Sequence, residues 1–173
     1  VSSTGATRLV LSTSSIGRRA LSVLVASASA GAFNQYIEAD SDRLMVRTRR
    51  RAFASGALKA TPLWLLAIGT LLAGAVAAAA FALNATSALF IFLGAFFYAV
   101  VYTVWLKRRT WLNIVIGGLS GSFAVLAGAA AVNPSLGALP LLLALVLFLW
   151  TPPHFWSLAI ANHADYAAAG VPM

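Results

Sequence analysis

An all-α bundle of membrane-spanning helices is the fold class this sequence predicts, and three observations predict it. Of its 173 residues, 61% are hydrophobic and only 9% charged, with a mean hydropathy of +0.88; a soluble domain is about a quarter charged. The apolar residues gather in runs of about 20, the length that crosses a hydrocarbon core. The charges gather in the connections between those runs, as expected of a polytopic protein. Topology thereby accounts for the net charge of +8, and the lack of any long polar surface argues against a nucleic-acid partner. There is no cysteine, so disulfides and thiolate metal sites are excluded.

The elements follow in order. Residues 1–19 are rich in Ser and Thr, show no clear period, and are set apart as a poorly ordered or atypical segment. Residues from 20 to about 40 form the first helix. The pair Arg18-Arg19 before a short apolar run also resembles a signal peptide, but a cleaved peptide would not carry the acidic residues that follow to a membrane surface. Spans are predicted at 57–82, 88–106, 112–131 and 138–160. Tyr98, Tyr102 and Trp105 sit near the end of the second of these, where interfacial aromatics belong. The third is rich in Gly and Ala, which lets neighbouring helices approach closely. The last contains Pro152 and Pro153, which should break or kink it.

With five segments, the connections at 39–56, at 107–110 and after 160 fall on one side. Nine of the twelve basic residues lie in or beside the first two, and the connections on the other side carry no charge. The positive-inside rule puts the basic side in the cytoplasm. Arg8, Arg18 and Arg19 fall against that rule.

The stretch from Asn34 to Arg51, NQYIEADSDRLMVRTRRR, holds three of the four acidic residues of the chain and five of the twelve basic ones. Asn34, Glu38 and Asp42 are spaced four apart, which places their oxygens on one helix face over two turns. Asp40 points away and reads as solvent-facing or paired with a cation. Converging oxygen ligands suit Mg²⁺, which shares its coordination with water and substrate phosphates, and arginines hold phosphates. Polar groups at membrane depth are costly and usually functional; a solvated helix end is the bland alternative. Arg47, one turn beyond Asp42, and Lys107 or Arg108 in the second basic loop are the candidates for an anionic substrate, while most other basic residues serve topology and lipid headgroups. His154 sits at the proline pair, as hydrogen-bonded structure or as part of a substrate cavity. Trp150, Phe155 and Trp156 line an apolar pocket or face lipid. Asp165 is the only acid outside the first motif and is a candidate second metal arm.

These residues resemble the UbiA-type membrane prenyltransferases, and among them the members that farnesylate protohaem IX. NQYIEADSDRLMVRT is similar to their first acidic motif. YTVWLKRRTWLNIVIGG from Tyr102 and WTPPHFWSLAI with DYAAAGVPM from Trp150 follow in the family's order. The likeness runs from about residue 30 to the end and leaves residues 1–19 aside.

The resemblance implies a nine-helix bundle of which residues 20–173 are a partial copy, with further spans outside them. It implies transfer of a farnesyl group from farnesyl diphosphate to a vinyl group of haem b, assisted by Mg²⁺. By position, Asn34, Glu38 and Asp42 with Asp165 would be catalytic, with Glu38, Asp42 and Asp165 as metal ligands. Arg47, Lys107, Arg108, His154 and Asn162 would bind substrate. A bacterial or mitochondrial inner membrane is the implied location, and haem–copper oxidase biogenesis proteins are implied partners. Departures are Ala52 and Trp111 where proline is usual, and Ala124-Val125 where a proline pair is common. Ala161, His163 and Ala164 replace a stretch that often carries Lys and a second Asp, which thins the second metal site. A prenyltransferase with an aromatic quinone-precursor acceptor is a second reading. A transporter is a third, and it would place its acids midway across the membrane rather than at one surface.

Overall fold

The computed structural model describes residues 13–172, and among these no strand occurs. Helix α1 (Thr13–Ile37) starts earlier than the sequence suggested and runs into a short α2 (Ala39–Leu44). A basic loop leads to α3 (Pro62–Ala82), which has Pro62 in its first turn, where its missing N–H costs nothing. Helix α4 (Ala85–Phe96) continues as a π-helix over Phe97–Leu106. Helices α5 (Asn113–Gly117) and α6 (Leu119–Ala130) make one further rod, followed by α7 (Ala138–Ala161) and α8 (His163–Ala168).

Among the described residues, four stretches are long and apolar enough to cross a membrane: Pro62–Ala82, Ala85–Leu106, Asn113–Ala130 and Ala138–Ala161. At about 1.5 Å per residue, 21 residues reach about 31 Å, the thickness of a hydrocarbon core. The chain is therefore an integral membrane protein. Helix α1 is of similar length but carries Arg18, Arg19 and several serines, and it stands outside that group. The outer faces remain apolar. Leu139, Leu142, Leu145, Val146 and Leu149 on α7 are all exposed, as a lipid-facing helix requires.

Inside, the helices approach through small residues and carry their own hydrogen bonds. Ala26, Ala75, Ala79, Ala88, Ile91 and Ala127 form one buried cluster. Ser87 Oγ donates to the Ala127 carbonyl at 2.9 Å and Ser122 Oγ to that of Ala144 at 2.8 Å. Asn84 caps α4 by accepting from the Ser87 N–H at 2.8 Å, while its Nδ2 donates to the Ala130 carbonyl at 2.8 Å. In a membrane such contacts replace the hydrophobic drive that holds soluble helices together. Gly117 lets α5 meet the π-helix: a Cβ there would stand 2.7 Å from Tyr102 Cδ2.

The expected break at the proline pair does not occur in α7. The helix runs through Pro152 and Pro153, although both lack the N–H that would serve the carbonyls one turn back. Pro152 is buried and faces protein, the setting in which a membrane helix tolerates proline.

Candidate active site

The acidic face is built by a helix break that keeps its register. Glu38 separates α1 from α2 with φ −98° and ψ 9°, the bridge region of backbone space. Yet the Glu38 N–H still bonds to the Asn34 carbonyl at 2.9 Å, and the Asp42 N–H to that of Glu38 at 2.8 Å. The four-residue spacing therefore puts Asn34, Glu38 and Asp42 on one buried side, with Glu38 and Asp42 each only 2% exposed. Asp40 lies opposite, its side chain 91% exposed and paired with Arg43 at 2.7 Å.

Cations from two loops close on the buried carboxylates. The Lys107 ammonium pairs with Glu38. One guanidinium nitrogen of Arg51 spans both oxygens of Asp42, at 2.9 and 3.1 Å. Arg108 donates to the Ser41 hydroxyl. Arg108 thus lies at the rim of the motif, one residue from Asp42.

The π-helix aims the groups on its side. Its bonds reach back five residues, so Thr103 Oγ1 donates to the Tyr98 carbonyl at 2.8 Å and the Lys107 N–H to that of Tyr102 at 2.9 Å. That looser turn, a form often found at functional sites, brings Thr103 under Asn34, whose Nδ2 donates to it at 3.1 Å.

A cavity of about 340 Å³ opens beside this cluster. Its polar end is lined by Asn34, Asp42, Arg47, Thr48, Arg51 and Lys107. Its remaining wall is apolar and aromatic, with Tyr98, Tyr102, Leu147, Trp150 and Phe155 among its residues. Tyr98 and Tyr102 are stacked with ring centres 5.8 Å apart, and the Lys107 ammonium lies 5.7 Å from the Tyr102 ring centre. Glu38 is not part of this wall; its carboxylate is held by Lys107, which is.

The other sequence candidates are placed as follows. Asp165 accepts from the Arg47 backbone N–H at 3.3 Å, so the second motif does meet the first across α8 and the basic loop. It does so outside the main cavity, in a shallow hollow shared with Arg47, Asn162 and His163. Asn162 donates to the Leu158 carbonyl of its own helix end at 2.8 Å. His154 stacks on Trp150 at 4.3 Å and does not line the cavity, whereas Trp150 and Phe155 do. Trp156 packs on Trp111 at 5.8 Å elsewhere. Among the described residues no group of three or more His, Cys, Asp or Glu side chains is gathered tightly enough to hold an ion. The donors that fit a divalent cation best are Glu38 and Asp42, two buried carboxylates one turn apart, each already beside a positive charge.

Arg51, Thr103 and the tyrosine pair were not singled out as site residues from sequence. In sequence Arg51 reads like its basic neighbours, and Tyr98 and Tyr102 read as interfacial aromatics. A signal existed for both: Arg51 repeats the four-residue step from Arg47, and Tyr98 and Tyr102 share a helix face with each other.

Fold and site together define a polytopic membrane protein with a charged pocket at one surface and an apolar chamber beneath it. The chain belongs to the UbiA prenyltransferase family, matching it over residues 4–173, which takes in most of the N-terminal segment that the motifs had left aside. It is 66% identical over 154 residues to protoheme IX farnesyltransferase 2 of Paramagnetospirillum magneticum, covering 89% of this chain and 54% of that protein. To protoheme IX farnesyltransferase 1 of the same organism it is 56% identical, over 88% of this chain and 54% of the relative. To the protoheme IX farnesyltransferase of Rhizorhabdus wittichii it is 45% identical, over 88% of this chain and 50% of the relative. The chain spans about half the length of the curated relatives it matches. No solved structure matches it significantly.

Proposed function

We propose that the protein transfers a farnesyl group from farnesyl diphosphate to a vinyl group of haem b. The observation that carries this reading is the pairing of two buried carboxylates with two cations at the polar end of an apolar, aromatic cavity. The transferred group and its acceptor follow from the relatives, which are protoheme IX farnesyltransferases.

The diphosphate enters the polar end, where Arg47, Arg51 and Lys107 meet its oxygens, and the prenyl tail follows the apolar wall. Arg108 at the rim adds positive charge on the approach. Glu38 and Asp42 would hold Mg²⁺, while Asp165 stands outside the cavity and steadies the basic loop through the Arg47 N–H. When held by Glu38 and Asp42, such an ion would supply positive charge against the leaving group. As the C1–O bond breaks, negative charge grows on the diphosphate, and the fixed cations stabilise it without having to reorganise. The allylic carbon left behind lies among Tyr98, Tyr102 and Trp150, whose faces favour a cation and whose bulk keeps water away. The vinyl π electrons of the acceptor close the new C–C bond, water adds to the carbon left electron-poor, and a proton leaves. His154 supports this wall by stacking on Trp150, and Asn162 holds the α7–α8 junction that presents Asp165. The basic loops face the cytoplasm, on the positive-inside rule, in a bacterial or mitochondrial inner membrane. The product would pass to haem–copper oxidase biogenesis proteins.

The test is turnover by the protein in liposomes given farnesyl diphosphate, haem b and Mg²⁺, reading released pyrophosphate and the mass of the haem product. Asp42→Ala should lower turnover by at least about 100-fold, or about 2.7 kcal/mol, while the protein still inserts. Full turnover by that variant, or transfer to 4-hydroxybenzoate instead of haem, would overturn the assignment.

A further inference from the structure

The resting site holds its two carboxylates closed with its own cations. Glu38 is 2% exposed, and the Lys107 side chain that pairs with it is 15% exposed. Asp42 is bridged by Arg51, whose side chain is 33% exposed. A metal ion that takes these carboxylates must first displace an ammonium and a guanidinium. A diphosphate that takes Lys107 or Arg51 must first strip a buried carboxylate of its counter-charge. Either step alone leaves an uncompensated charge in a poorly solvated place, which is strongly unfavourable. Both steps together leave none, because the metal covers the carboxylates and the phosphates cover the cations.

We propose that Lys107, with Arg51 in a lesser part, is an internal stand-in for the metal, handed from carboxylate to diphosphate when the two ligands arrive together. This rests on the prenyltransferase reading of the site and adds a binding rule to it: metal and diphosphate bind as a unit, and each alone binds weakly. Coupling of this kind is reciprocal between the two ligands. Lys107 carries the larger share because its pair is the more deeply buried, and its flexible four-carbon stem can swing between partners.

The rule makes a mirror-image prediction that a merely structural ion pair does not. Lys107→Met removes the stand-in and bares Glu38, so Mn²⁺ alone should bind more tightly than to the unaltered protein, by about tenfold, or 1.4 kcal/mol. Glu38→Gln frees Lys107, so inorganic pyrophosphate without metal should bind more tightly, by a similar factor, although a site carboxylate has been lost.

The experiment uses the purified full chain in a phosphate-free detergent. Mn²⁺ binding is read by electron paramagnetic resonance and pyrophosphate binding by calorimetry, each ligand alone and then both. Thermal unfolding of every variant serves as the folding control. Tighter Mn²⁺ binding by Lys107→Met together with tighter metal-free pyrophosphate binding by Glu38→Gln supports the hand-over. If either variant is unchanged or weaker in its own assay while the unaltered protein binds Mn²⁺ with pyrophosphate, the hand-over is wrong and the site reading survives. If the unaltered protein binds no Mn²⁺ even with pyrophosphate, both fall.

Discussion

The contact between Glu38 and Lys107 joins residues 69 apart in the chain, and its removal can be worked through in energy. Replacing Lys107 by Met leaves the Glu38 carboxylate, only 2% exposed, without its partner. Breaking one side of a buried ion pair costs about 3–5 kcal/mol. The lower end applies here, because water reaches the Lys107 side of the pair. Replacing Glu38 by Gln should cost roughly half as much, since an unpaired lysine head can move to water along its stem. The double variant Glu38→Gln/Lys107→Met restores neutrality, so most of the loss should return. For a chain of this length about 1 kcal/mol moves Tm by roughly 2–4 °C, so Lys107→Met should melt about 6–12 °C lower. The double variant should sit well above the sum of the two single losses. The assay is thermal unfolding of the four proteins in one detergent at one pH, read as a double-mutant cycle. A coupling below about 0.5 kcal/mol, the level at which independent sites add, would refute the pairing and with it the chemistry built on it.

Three further outcomes are expected. Asp40→Asn touches only an exposed pair with Arg43 and should leave both melting and turnover unchanged, with any stability effect within about 0.5 kcal/mol; a large loss of turnover would place Asp40 in the site. Gly117→Ala puts a carbon 2.7 Å from the Tyr102 ring, so overpacking should cost about 1–3 kcal/mol and disturb the cavity wall, seen as a lower Tm together with a raised KM for farnesyl diphosphate. Trp150→Ala should raise that KM more than His154→Ala does, because Trp150 lines the cavity and His154 only stacks behind it; the reverse order would put the imidazole on the substrate.

Much of this protein was legible in its sequence, for reasons of local arithmetic. Apolar runs long enough for a bilayer fixed four of the spans, because every backbone polar group in lipid must be satisfied within a helix. A four-residue step fixed Asn34, Glu38 and Asp42 on one face and Asp40 on the other, and it survived the helix break at Glu38 because the backbone bonds across that break persist. Charge asymmetry placed the two basic loops and the Asp165 stretch at one surface, where the contacts Lys107–Glu38 and Arg47–Asp165 now join them.

Which cation answers which carboxylate was decided only in three dimensions. Five arginines follow the acidic motif and three basic residues fill the second loop, all equal by composition. Arg51 reaches Asp42 through the turn of the intervening loop, and Lys107 reaches Glu38 because five-residue turns re-aim the end of the π-helix. Helix α7 continues through two prolines, the first of which, Pro152, is buried. Periodicity records the face a residue occupies. A partner far along the chain is chosen by distances that exist only once the helices have packed.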